Sequence, residues 1–282
     1  MLASALSFVL LTKQVPYTEI KDIVYKTVGS QQIMLDVAYP NNAKSSPVIM
    51  LIHGGGWVAG SRGDMASLVP GLVASGYACV NIEYRLAPAA QYPAQIEDVK
   101  ASVRWIKDHA TQYRLNKNKI AAFGMSAGGH LTALLAATGN ETQWDLGTGQ
   151  TSKIQAAISY AGPTDFPTWW KNKKFQPPAD RAVIEACLPA LLGGTYEQVP
   201  QMYVDASPVS HVTPNCTPTM FLHGDVDTLV PKAQSQIMYN LLVSKSVTTE
   251  ILIMPGVGHG GFGNDPGMVF SRFLAFLKNN LK

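Results

Sequence analysis

The pentapeptide Gly124-Met125-Ser126-Ala127-Gly128 (G-x-S-x-G) closes an apolar run and opens a helical one. A serine on such a corner needs small neighbours because the turn is tight, and glycine supplies them. Its hydroxyl is a weak nucleophile: it needs a base to take the proton, a group to orient the base, and donors for the charge that develops on the substrate. Residues of each type stand at the ends of other apolar runs. His53-Gly54-Gly55-Gly56-Trp57 supplies backbone N–H groups, and those of Gly55 and Gly56, with that of Ala127, are the candidate oxyanion donors. Each such donor is worth about 2.7–4 kcal/mol of transition-state stabilisation. His223-Gly224-Asp225-Val226-Asp227 offers two carboxylates; Asp227 is preferred as the orienting acid, since Asp225, nearer the strand end, suits the bracing of a turn. His259 lies in Gly256-Val257-Gly258-His259-Gly260-Gly261, whose glycines let the imidazole return towards Ser126, and is the candidate base.

The other histidines read as structural. His53 and His223 end strands and are expected to hold loops; His130 lies on the helix after Ser126; His109 closes a helix, where a cation suits the dipole. His211 has no evident partner. No histidine stands at metal-ligand spacing from Asp or Glu, so no metal is expected. Trp57, Trp169 and Trp170 are candidates to line a substrate pocket, against the more ordinary role of packing.

These residues must be positioned by a scaffold, and the periodicity describes one. Glu19 to Val28 and Gln31 to Tyr39 read as hairpin strands joined at Gly29-Ser30. Pro47 to His53, Tyr77 to Tyr84, Lys119 to Gly124, Ala156 to Tyr160, Thr219 to His223 and Glu250 to Met254 are apolar almost throughout, which suits parallel strands buried on both faces. Helical stretches intervene at Met65 to Ser75, Pro93 to Tyr113, Ala127 to Thr138, Pro231 to Ser244 and Pro266 to Asn280. Strand and helix in alternation predict an α/β fold: a mostly parallel eight-stranded sheet with helices on both faces. Residues 19–282 are expected to form one domain, with a small cap insertion at about 163–204 that holds one helix, Ala179 to Leu192.

Composition agrees with a globular chain: 46% of the 282 residues are hydrophobic and 15% charged, with a net charge of +3. No basic run interleaved with aromatics marks a nucleic-acid partner. Cys79, Cys187 and Cys216 have no C-x-x-C spacing and suit buried thiols, a Cys187–Cys216 disulfide being the other option. The apolar segment Met1 to Thr12, within residues 1–18, reads either as an export signal without the usual basic residues or as a short packing helix, which leaves cytoplasm and export both open. No stretch reaches the ~20 apolar residues of a membrane span.

Taken in order, HGGGW, YRLAP (Tyr84 to Pro88), YPAQIEDV (Tyr92 to Val99), GMSAGGH, ASPVSHV (Ala206 to Val212), HGDVDTLVP and GHGGF resemble the esterase/lipase group of α/β-hydrolases. Within it the chain is most similar to bacterial carboxylesterases related to feruloyl and acetyl-xylan esterases. The nucleophile, acid and base follow the α/β-hydrolase order. The resemblance implies a cofactor-free Ser-His-Asp mechanism on a small-molecule or carbohydrate-linked ester, with short or aromatic acyl groups. It leaves open an amidase, formamidase or peptidase, a lipase for longer chains, and a non-catalytic binding protein, and it is silent on oligomeric state.

Overall fold

The computed structural model describes residues 15–145, 147 and 149–282; the apolar Met1 to Thr12 segment lies outside them. The eight strands are β1 (Tyr17–Val28), β2 (Gln31–Pro40), β3 (Ser46–Ile52), β4 (Ala78–Ile82), β5 (Leu115–Met125), β6 (Ala156–Tyr160), β7 (Thr219–Gly224) and β8 (Thr249–Met254). They form one sheet in the order β1-β2-β4-β3-β5-β6-β7-β8. β1 pairs antiparallel with β2, and β2 with β4; every later pair is parallel. The hairpin therefore closes one edge, as its Gly29-Ser30 turn predicts.

The helices are α1 (Val69–Ala74), α2 (Ala94–Asp108), α3 (Ala127–Thr138), α4 (Phe166–Asn172), α5 (Pro178–Leu192), α6 (Pro200–Asp205), α7 (Ala233–Ser244) and α8 (Pro266–Asn280). Their division between the two faces follows from the pleat, which sends successive side chains to opposite sides. Val48, Met50 and Ile52 of β3 join one apolar cluster with Ile96, Val99, Val103 and Ile106 of α2 and Leu131 and Leu134 of α3. Ile49 and Leu51 join another with Leu72 of α1 and Phe273 and Phe276 of α8. At 0% exposure from Val48 to Ile52, β3 has apolar contacts on both sides, so an unbroken apolar run is what this position requires.

Three segments differ from the periodicity. The helix expected at Met65 to Ser75 is a 3-10 turn, Arg62–Leu68, followed by α1, because Pro70 fits only the first turn of an α-helix. α2 ends at Asp108 rather than Tyr113, and the chain turns into an extended β5 from Leu115. The stretch between β6 and β7 holds three α-helices and two 3-10 turns, Lys173–Phe175 and Pro208–His211, where one helix was expected. α4 starts on an Asp165 cap that accepts the Thr168 N–H, with Pro167 in its first turn, and α6 begins at Pro200.

β3 and β5 are neighbours, with Ile52 beside Gly124, yet the chain leaves them towards opposite faces: through α1 after β3, through α3 after β5. A crevice opens where connections diverge in this way, beyond the carboxyl ends of the strands. Close packing there relies on glycine. A Cβ on Gly128 would lie 2.1 Å from the Ile52 carbonyl oxygen, and one on Gly124 would lie 2.2 Å from that of Gly128. Gly128→Ala is accordingly expected to destabilise the fold by at least about 1–3 kcal/mol. The measurement is a urea midpoint; one equal to wild type would show that α3 can back away from β3.

Candidate active site

Ser126 stands at the β5–α3 corner with φ 54° and ψ −118°, in a region a non-glycine residue adopts only under constraint. Its N–H donates to the Tyr160 carbonyl at 2.8 Å and its carbonyl accepts the His130 N–H at 2.9 Å, which fix the turn from both sides. His259 Nε2 lies 2.9 Å from Ser126 Oγ, and His259 Nδ1 lies 2.8 Å from Asp227 Oδ2. The three residues come from the ends of β5, β7 and β8. Asp225 is elsewhere: its carboxylate accepts the Gly256 N–H at 2.6 Å, bracing the loop that carries His259.

The Asp227 side chain is buried and fully partnered. Oδ1 accepts the N–H groups of Leu229 and Val230 at 3.1 and 2.9 Å, and Oδ2 faces both His259 and, at 3.3 Å, His223 Nε2. Burial pushes this carboxyl up, but hydrogen bonds from His223 and His259, attraction to His259 and the Val230 N–H outweigh it and hold the pKa down at about 2. His223 is more than a loop tie: it joins Asp227 to the Val230 carbonyl and to Ser235 Oγ, each of the latter at 2.7 Å. Sequence reasoning missed that contact, although the i, i+4 spacing of His223 and Asp227 was a signal for it.

The H-G-G-G loop reverses sharply. Gly55 and Gly56 have φ of 106° and 61°, and a Cβ on Gly55 would meet the Ala59 carbonyl oxygen. Among the described residues the N–H groups of Gly55 and Gly56 have no protein acceptor, and that of Ala127 is one of the N-terminal N–H groups of α3 that lack an intrahelical partner. All three residues border the same cavity as Ser126 and His259, a space of about 550 Å³.

The tryptophans divide. Trp169 lines this cavity with Val183, Cys187 and Leu229, and its indole N–H donates to the Leu229 carbonyl at 3.0 Å. Trp170 does not reach it; the next residue on a helix is turned by about 100°, and its indole instead donates to Glu197 and borders a separate groove. Trp57 borders the cavity, but its indole is 1% exposed and donates to His130 Nδ1 at 3.2 Å, so it is held as a strut. His130, expected to be bland, in turn bonds the Ala206 carbonyl through Nε2 at 2.7 Å and stacks on Phe166. His53 holds the Gly54 carbonyl and stacks on Tyr84, and His211 bonds the Asp205 carbonyl. Cys79, Cys187 and Cys216 are free and buried, so no disulfide joins Cys187 to Cys216.

A doubly wound sheet with a serine on the corner after β5, and an acid and a histidine on the loops after β7 and β8, defines an α/β-hydrolase. The chain belongs to the family described as BD-FAE, whose model matches residues 35–242. Esterase LipC of Mycobacterium tuberculosis is 32% identical over 77% of this chain and 53% of its own length. The probable carboxylic ester hydrolase LipM of the same organism is 35% identical over 68% of this chain and 44% of its own. The chain thus spans about half the length of the curated relatives it matches. Among solved structures, a bifunctional GH43-CE protein of Bacteroides eggerthii superposes with a TM-score of 0.80 at 28% identity, over 94% of this chain and 38% of that one. A truncated carbohydrate esterase from gut microbiota gives 0.77 at 24% identity, over 95% and 99%, and shows the shared fold.

The Trp57–His130–Ala206 chain requires a neutral imidazole with its proton on Nε2. Burial lowers the His130 pKa from 6.5 to about 4, against the opposing pull of the Ala206 carbonyl. Below pH ~6.5 the unfolded chain takes up a proton that the folded chain refuses until pH ~4, so this residue makes stability fall with pH across that window. His130→Gln is expected to flatten the decline by up to about 1.4 kcal/mol per pH unit. Urea unfolding at pH 7 and pH 5 checks it, and equal slopes for the two proteins would place the titration elsewhere.

Proposed function

We propose that this protein is a carboxylic ester hydrolase that works through an acyl-enzyme on Ser126. The observation that carries the reading is the unbroken hydrogen-bonded chain from Ser126 Oγ through His259 to Asp227, opening on the cavity that the H-G-G-G loop borders. His259 Nε2 takes the proton of Ser126 as Oγ attacks the ester carbonyl carbon, and the N–H groups of Gly55, Gly56 and Ala127 receive the oxyanion. As the tetrahedral intermediate collapses, His259 returns the proton to the leaving alcohol. Water then attacks the acyl-enzyme, again losing its proton to His259, and the acid departs from a regenerated serine. Asp227 stays ionised throughout, fixing the imidazole tautomer and stabilising its charged form.

The substrate class follows from the walls. A space of about 550 Å³ is in the range of small-ligand pockets, and Trp169, Val183, Cys187 and Leu229 give it an apolar side suited to a short or aromatic acyl group. Helices α4 and α5 serve as a cap over this side. The alcohol is read as carbohydrate, as in the name of the gut-microbiota carbohydrate esterase that shares this fold.

The test is turnover of p-nitrophenyl esters from acetate to palmitate, of methyl ferulate and of acetylated xylan. Wild type should favour acetate, butyrate or ferulate. Ser126→Ala should lose at least about 10⁴-fold in kcat, and Asp227→Asn about 10³–10⁴-fold. Asp225→Asn removes one loop hydrogen bond and should stay within about tenfold. Full activity in Ser126→Ala would overturn the mechanism, and a wild type that cleaves matched amides but no ester would overturn the reaction class.

A further inference from the structure

The cap separates two openings. Consecutive indoles of α4 serve different ones: Trp169 borders the Ser126 cavity, whereas Trp170 borders a second groove of about 420 Å³. α5 repeats the division. Val183 and Cys187, four residues apart on one face, line the Ser126 cavity, and Arg181 and Glu185, four apart on another, line the groove.

The second groove is charged. Lys171, Lys173, Lys174 and Arg181 stand in it against Glu185 and Glu197, a surplus of two positive charges in one small opening on a chain whose total is +3. Lys173 lies 3.7 Å from the centre of the Trp170 ring and 3.8 Å from Glu185, and Glu197 accepts the Trp170 indole N–H at 2.9 Å. Lys171 and Lys174 lie over the rings of Tyr196 and Phe175, at 4.8 and 5.0 Å from their centres, and neither they nor Arg181 has a carboxylate partner among the described residues. Phe175, next in sequence to Lys174, is 77% exposed and presents an apolar face. None of these groups is used by the chemistry at Ser126.

We propose that this groove is an anion subsite for a carboxylate-bearing sugar of the same polymer whose ester enters the Ser126 cavity, so that the natural substrate is a uronate-containing polysaccharide. The proposal rests on the carbohydrate-ester reading above. An Arg guanidinium pairs a planar carboxylate through two parallel N–H bonds, and the lysines add point charges. The two glutamates decide between polyanions. A sugar acid brings hydroxyl donors that Glu185 and Glu197 can accept, whereas inorganic polyphosphate brings charge and acceptors without hydroxyl donors. The geometry also sets the size of the substrate: α5 lies between the two openings, so a ligand filling both must cross one helix width, about 10–12 Å. A simple alkyl ester cannot reach the groove.

The test measures affinity electrophoresis and calorimetry of the full chain with polygalacturonate, with neutral xylan, with anionic phosphatidylserine vesicles and with polyphosphate. Wild type should be retained by polygalacturonate and not by neutral xylan. Retention should disappear in about 1 M salt, where the screening length is ~3 Å. Replacing Lys171, Lys174 and Arg181 together by glutamine should weaken binding by about tenfold or more, with a urea midpoint equal to wild type as the check on folding. Binding that is equal for neutral xylan, unchanged in the triple variant, or tighter to vesicles or polyphosphate than to polygalacturonate overturns the proposal. Failure of the esterase reading is seen separately, as absent wild-type turnover of p-nitrophenyl acetate.

Discussion

The left-handed turn at Ser126 is the constraint around which the rest of the molecule is arranged. A serine at φ 54° is held there against a cost of order 1–3 kcal/mol, and the surroundings must over-determine it. They do so by proximity. α3 approaches β3 so closely that Gly128 has no room for a methyl group beside the Ile52 carbonyl, and Gly54 approaches the Met125 carbonyl to within what a Cβ would feel at 3.1 Å. The buried strands β3 and β5 supply a floor that cannot yield, because both of their faces are packed. The apolar core is thus what keeps one hydroxyl at the mouth of the crevice.

Charge is then arranged around that hydroxyl with little exposure to water. Asp227 is buried, and a lone carboxylate there would be costly. Two backbone N–H groups and two imidazoles satisfy it, so it remains ionised and can hold His259 in one tautomer. The second imidazole, His223, is anchored by Ser235 and the Val230 carbonyl, which ties the carboxylate to β7 and α7 rather than to its own loop alone. Asp225 performs the complementary task on the neighbouring loop by holding Gly256. Two aspartates two residues apart therefore work on different things, one on the imidazole and one on the backbone that carries it.

That Ser126, Asp227, His259 and the H-G-G-G loop meet at one end of the sheet was legible in the sequence, because each follows an apolar run and tight backbone turns fix the glycines beside them. The eight strands were legible because buried parallel strands leave little room for polar residues. What supports these residues was much less so. His130 sits in a helix that reads as apolar, and its partner Ala206 is 76 residues away, a distance that only the packing of the β6–β7 insertion on α3 brings to contact. Trp169 and Trp170 looked equivalent as an aromatic pair. Helical geometry makes them unlike, since consecutive residues are turned by about 100°, but α4 itself was faintly marked, its Asp165 cap and Pro167 being weak signals between two prolines and a loop.

The Trp57–His130–Ala206 chain links three separate parts of the molecule around Ser126: the H-G-G-G loop, α3 and the end of α6. Trp57 ends the H-G-G-G loop with φ 62°, its carbonyl accepts the Ala87 N–H at 2.9 Å, and its indole reaches His130 one turn beyond Ser126. Ala206 closes α6, the last helix of the insertion. The H-G-G-G loop and Ser126 are therefore spaced by a side-chain strut as well as by strand pairing, and the same strut is bonded to the end of α6. A displacement of α6 would be felt at Trp57 through two hydrogen bonds, whereas a displacement of the exposed β1–β2 hairpin would reach it only through the rigid sheet. By this route the insertion and the H-G-G-G loop are coupled more directly to each other than either is to the sheet edge.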